Sequence, residues 1–417
     1  MVDERLLEAP VPGETPTIVT ISLTNQGPDE IELNLLPAAD WIALANESYF
    51  RIGPATSVDV SLELTCLAAG RVQHGWLAAH DGESEWALPV RLLCPGSPEG
   101  GIDTDPNQGG IQSGSAPLAL EPPLLVDAQV VRVDPERGPY NLKLASGRDY
   151  LIVMPKSPVG SGMIISGGRN VVMVGGEIKI PWRGELPTIA ERRGLYLTGQ
   201  TGTIHLEGVK LHGDDLSEGI QLNTPDAQVQ ITNVAVIDVH ARDQVSFTDN
   251  HPDLIQSFGG ARSITVDRFT GSTDYQGLFF QSITATAKHG PVNLRDINII
   301  GRPTARYLLW FTLEGQRDVV SLENVWLQVP AQRSGGIGRA VWPDVNGTYP
   351  HQASTTQAGA TTVAWPLEMM PPIYGHATQG APPTGNFVKM DEVGTRYSSP
   401  GYALTNDLPV PAILPSY

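Results

Sequence analysis

One short pattern returns five times between residues 193 and 330, and few folds can accommodate it. Ile204-x-Leu206-x-x-Val209-x-Leu211 is followed by Val229-x-Ile231-x-x-Val234-x-Val236 and Ile264-x-Val266-x-x-Phe269. Val292-x-Leu294-x-x-Ile297-x-Ile299 and Val320-x-Leu322-x-x-Val325-x-Leu327 complete the series, with starts 25, 35, 28 and 28 residues apart. Self-similarity at this period marks a solenoid. A second motif precedes each copy: Gly194-Leu195-Tyr196-Leu197, Gly219-Ile220-Gln221-Leu222, Asp253-Leu254-Ile255-Gln256, Gly277-Leu278-Phe279-Phe280 and Tyr307-Leu308-Leu309-Trp310.

Apolar residues alternate at period two within each half-pattern, which predicts strands with one buried face. The halves are separated by Glu207-Gly208, Thr232-Asn233, Asp267-Arg268, Arg295-Asp296 and Glu323-Asn324. Gly and Asn tolerate left-handed backbone, and charged residues stay wet, so each dipeptide predicts a bend. No sustained 3.6-residue period appears, which excludes leucine-rich repeats and βαβ units. The expectation is an all-β chain with a right-handed parallel β-helix, its stacked rungs burying one Leu/Ile/Val core.

The spacing and the strand–bend–strand pattern resemble the right-handed β-helix proteins of the pectate-lyase-like group, which includes polysaccharide lyases, glycoside hydrolases and phage tailspikes. The resemblance covers about residues 145–330. It implies a glycan as ligand, held along the outer face of one parallel sheet.

Residues 1–98 read as a small β-sandwich similar to immunoglobulin-like modules, with strands expected at 17–24, 30–36, 58–66, 71–79 and 86–94. This module holds 14 Asp/Glu against 4 Arg and no Lys, out of a chain net charge of −18. Cys66 and Cys94 fall within it, as a pair or as two buried thiols. Residues 99–120 form a Gly/Pro-rich linker. Residues 121–330 form the β-helix with an N-terminal cap over 118–165, and a first rung begins between Gly167 and Pro181. Residues 331–417 are rich in Pro, Gly, Thr and Gln yet carry Trp342, Trp365, Tyr374, Phe387, Tyr397 and Tyr402. They predict an extended segment packed on the solenoid or on a neighbouring subunit.

Clustered Lys/Arg are absent, which argues against nucleic acid, and a strongly anionic glycan would need a local basic patch. No apolar run is long enough to span a membrane. The start, Met1-Val2-Asp3-Glu4-Arg5, lacks the features of a signal peptide. The expected location is a virion or the extracellular surface, with 1–98 joining other subunits of the assembly and, by tailspike analogy, a homotrimer.

Aligning the first strands points Leu195, Ile220, Ile255 and Leu278 inward. Tyr196, Gln221, Gln256 and Phe279 then point outward, with Leu309 or Trp310 continuing the line; Trp310, as the ring of the two, and Gln281 join them as candidates. Aromatic faces stack on sugars and amides bridge hydroxyls, so these six are the candidate glycan contacts. The corners before the strands hold the candidate catalytic residues Asp214, Asp215, Asp243, His251, Asp253 and Asp274. Equivalent positions on adjacent rungs lie ~4.8 Å apart. Carboxylates one rung apart would approach the ~5–5.5 Å of a retaining glycosidase, and two rungs apart the ~6.5–9.5 Å of an inverting one. The competing reading is that a corner Asp caps its own turn.

No cofactor is expected. Calcium enters only for a lyase, where Asp214, Asp215, Asp243, Lys288 and Arg302 are candidates without forming a dense cluster. The polygalacturonase-like combination of Asn-x-Asp, paired Asp, Gly-His-Gly and Arg-x-Lys is missing as a set. Two functions therefore stand: a glycan-binding spike or surface subunit, and a polysaccharide lyase or hydrolase.

Overall fold

The computed structural model describes residues 17–25, 27–37, 42–65, 72–80, 85–93, 120, 122–182, 192–241, 251–281, 290–312, 320–345, 353–357, 360–366 and 373–397. Among the described residues the chain is all-β apart from two short 3-10 turns. It divides into two compact units, residues 1–130 with 398–417, and residues 131–397. Almost all of the expected linker, and both Cys66 and Cys94, lie outside the described residues.

In the first unit Thr17–Thr24, Ser57–Leu64 and Ile42–Leu44 form one antiparallel set. Ile31–Pro37 pairs with Tyr49–Ile52 and Val72–His80, and the latter with Glu85–Leu93. Alternate residues from both sets, among them Leu23, Leu35, Ile52, Leu62 and Leu77, share one apolar core. Strands Ile42–Leu44 and Tyr49–Ile52 are absent from the sequence-based expectation because three or four residues carry too little alternation to read. The turn after Thr24 is held by Asn25: its Nδ2 donates to the carbonyls of Asp29 and Ile52, and its Oδ1 accepts the Gly27 N–H.

The second unit is a large, mostly parallel sheet system compatible with a β-helix. Three ladders run through it. The first stacks Tyr140–Leu144, Met163–Gly167, Arg193–Thr198, the starts of Glu218–Val239 and Asp253–Thr273, then Gln276–Gln281, Leu309–Thr312 and Val341–Trp342. The second carries the first half of each repeat: Val171, Ile204, Val229, Ile264, Val292, Val320 and Ile373 are in register. The third carries the second half, from Glu177–Lys179 and Lys210–His212 onward. Inward residues of all three ladders form a single core whose members are almost wholly inaccessible.

The bend between the second and third ladders turns on a left-handed residue that recurs on six successive rungs. Gly175 and Gly208 have φ 67°, Asn233, Arg268 and Asp296 φ 52°, and Asn324 φ 53°. Left-handed backbone costs an L-residue roughly 1–2 kcal/mol. Stacking on neighbours of identical geometry holds Arg268 and Asp296 there without the help of Gly or Asn.

Parallel pairing extends beyond the legible repeat in both directions. Tyr140–Leu144 and Tyr150–Val153 already pair in parallel within the stretch expected as a cap. Val341–Trp342 and Ile373–Gln379 add pairing after Pro330. The antiparallel pair Ala353–Gln357 and Ala360–Val363 follows, the latter also pairing Ile373–Gln379. The segment ending at Tyr397 lies along the side of the ladders. Val388 and Val393 bury Ala235, and the Gly394 N–H donates to the Gly208 carbonyl. The Tyr397 hydroxyl donates to Glu207 Oε1 at 2.5 Å. A Cβ on Gly208 would stand 2.0 Å from the Tyr397 ring, so only glycine fits beneath it.

Candidate functional site

The outer face of the first ladder carries one column in strict register: Tyr196, Gln221, Gln256, Phe279, Trp310 and Trp342. Its members stand opposite the core-facing Leu195, Ile220, Ile255, Leu278, Leu309 and Val341. Gln221 Nε2 donates to Gln256 Oε1 at 3.1 Å, an amide ladder across one rung. Phe279 stacks on Trp310 with centroids 4.5 Å apart. Gln281 faces Thr312 two residues further along, and Trp310 Nε1 donates to the Thr312 hydroxyl.

The column is not uniformly open. Gln221, Gln256 and Phe279 are 3%, 5% and 2% exposed, so the middle is covered. Tyr196 and Trp310 are half-buried and Trp342 is 37% exposed. At the Trp342 end, Tyr307 meets Trp310 edge-on at 4.8 Å and Trp342 at 6.1 Å. The Arg333 guanidinium lies over the Tyr307 ring at 5.2 Å. Aromatic faces of this kind bind the apolar faces of flat ligands, and the Trp and Tyr polar atoms fix orientation. Sequence reasoning missed Trp342 and Tyr307: the first lies past the legible repeat, and the second stands where other repeats carry a charged or amide residue.

That slot, two positions before each inward residue, forms a second polar column. Arg193 is in register with Glu218, and Asp253 with Gln276. The Ile220–Ile255 pairing places Glu218 and Asp253 on neighbouring rungs at the same slot. Glu218 is 2% exposed and Asp253 1%. Arg193 Nε donates to Glu218 Oε2. Burial raises the Glu218 pKa, opposed by the Arg193 charge and by hydrogen bonds from Arg193, the His251 backbone and Gln221. Burial, followed by the Glu218 charge, pushes Asp253 well above the usual carboxylate range. Neither Asp253 oxygen has a hydrogen-bond partner among the described residues, and Gln276 Oε1 has none either. Burial raises both carboxyls and the Glu218 charge raises Asp253 further, the direction in which two close carboxyls separate into an acid and a carboxylate. Glu218 was missed, although Arg193-Gly194, Glu218-Gly219 and Gln276-Gly277 repeat a polar-Gly signal in front of three of the five strands.

The remaining corner residues are dispersed. Asp214 is exposed, whereas its neighbour Asp215 is buried and paired with Arg192 at 3.2 Å. The two therefore do not form a paired carboxylate site. Asp243 lies outside the described residues. His251 accepts the Asp253 N–H at its carbonyl (2.7 Å), a local turn. Asp274 accepts the Ala241 N–H at 2.7 Å and faces His240 Nδ1 at 3.3 Å. Arg302 donates to Asp238, which also accepts the Ser272 hydroxyl. Burial would raise Asp238, but these bonds and the Arg302 and His240 charges lower it. Among the described residues no group of three or more His, Cys, Asp or Glu side chains is placed to hold a metal ion, and no helix is long and apolar enough to cross a membrane. Compared with family models, with curated proteins and with solved structures, the chain matches none, and the functional reading rests on the geometry above.

Proposed function

We propose that this chain is a glycan-binding protein built on a right-handed parallel β-helix of the kind found in pectate-lyase-like and tailspike proteins. An immunoglobulin-like sandwich at residues 1–98 joins it to other subunits of a virion or cell-surface assembly, as a homotrimer by the same analogy. One observation carries the reading: the in-register outer column of amides and rings that opens at Trp310, Tyr307 and Trp342. Stacked rings at rung spacing offer successive flat faces to successive sugar units. The test is a glycan array followed by calorimetry. Trp310→Ala and Trp342→Ala are expected to weaken binding at least tenfold while the fold persists, and a folded wild-type chain that binds no glycan overturns the proposal.

A second reading, depolymerase activity, is favoured by the Glu218–Asp253 pair. Asp253 would protonate the leaving glycosidic oxygen and Glu218 would act as carboxylate, since one rung of ~4.8 Å is near the ~5–5.5 Å of a retaining enzyme. The near-complete burial of both side chains weighs against a polymer reaching them. New reducing ends from a glycan that the protein binds, lost in Glu218→Gln and Asp253→Asn, would move the assignment to an enzyme.

A further inference from the structure

The sequence shows no basic cluster, yet at the open end of the outer column Arg333 lies over Tyr307, Arg306 precedes Tyr307 in the chain, and Arg339 occupies the slot of Tyr307 on the next strand. Arg333 covers the Tyr307 ring at 5.2 Å. Burial lowers its pKa, the charges of Arg306 and Arg339 lower it further, and those of Tyr307 and Asp344 oppose the shift. Arg306 and Arg339 are exposed and Arg333 is half-buried. Arg339 pairs with Asp344 at 3.4 Å. Arg333 donates through Nε and Nη2 to the Arg339 carbonyl, and among the described residues the rest of its five-donor fork has no hydrogen-bond acceptor. Arg306 lies over Tyr275 at 5.5 Å. Among the described residues, neither Arg306 nor Arg333 has a carboxylate within ion-pair distance.

Asp344, paired with Arg339, is one carboxylate against three guanidinium groups, and an anion bound beside Arg306 and Arg333 relieves the repulsion that remains. Here they rim an aromatic floor in a chain of net charge −18. Resting on the glycan reading above, we infer that this end selects sugars bearing an anionic group. The sugar ring lies on Trp310 and Trp342, and its carboxylate or sulfate accepts N–H bonds from Arg306 and Arg333. Guanidinium is suited to this because its planar fork matches both oxyanions.

The experiment uses the full chain on an array of acidic and neutral glycans. Each acidic glycan that binds is then compared with its carboxyl-reduced or desulfated form. The bound glycans are expected to be acidic, and neutralising them is expected to cost about tenfold or more in Kd, the loss of roughly one charge-assisted bond. Rising NaCl weakens binding. Arg306→Gln, at an exposed position, lowers affinity with an unchanged melting temperature, and Arg333→Gln provides the second variant. Binding of neutral glycans, or equal affinity for native and reduced forms, overturns the inference and leaves the glycan reading standing. Binding to no glycan by the folded chain removes that reading and the inference with it.

Discussion

Two stretches of one ladder occupy the same structural slots and have opposite characters. At Glu218, Gln221, Asp253 and Gln256 the outer face is sealed, and polar groups there are buried against each other or, as for Asp253, have no hydrogen-bond partner among the described residues. At Tyr307, Trp310, Arg339 and Trp342 the same slots are open and filled with rings and guanidinium groups. Register alone therefore does not make a binding face. What covers a column decides whether its side chains act on a ligand or on the fold.

Phe279, where the two stretches meet, should give the largest effect. It is 2% exposed and stacked on Trp310. Phe279→Ala is expected to destabilise the chain by about 3–5 kcal/mol, the usual cost of deleting a buried ring, measured by urea denaturation. A loss under about 1 kcal/mol would mean that the seal does not extend this far.

Asp253 should give a smaller effect of opposite sign. Its folded pKa is raised, by burial first and the Glu218 charge second. Below the unfolded pKa of ~3.9 its contribution is fully present, and stability is lost as pH rises from there towards the folded pKa. Asp253→Asn removes that slope. It should stabilise the protein by about 1–2 kcal/mol at neutral pH, with the gain vanishing near pH 4. Denaturation at the two pH values checks this, and a pH-independent difference would place an ionised Asp253 in the folded state.

The least effect on stability belongs to Trp342. At 37% exposure, Trp342→Ala should cost within about 1 kcal/mol of stability while removing glycan affinity. Unfolding would make Trp342 a structural ring like Phe279 and erase the contrast between the two stretches.

The repeat and its bends were legible because in-register parallel stacking writes its geometry locally. Alternation sets the strands, and the residues at 208, 233, 268, 296 and 324 mark the turn even where Arg268 or Asp296 stands in for Gly or Asn. The register of Tyr196, Gln221, Gln256 and Phe279 followed from aligning those copies, while the choice between Leu309 and Trp310 took the Phe279–Trp310 pairing to decide. The pairing of Glu218 with Asp253 was hidden because 35 residues separate them, with a polar insertion between. The neighbourhood of Arg306, Arg333 and Arg339 was hidden because the repeat pattern has stopped by residue 333.

By itself the sequence determined that this chain is all-β, that its 193–330 region stacks in parallel, and which side chains face the core, since period-two burial is a property of each strand alone. Only the tertiary structure decided which outer residues are sealed and which open, and which distant charges meet. Burial and proximity depend on what lies across the rung and over the face, and those neighbours are remote in the chain.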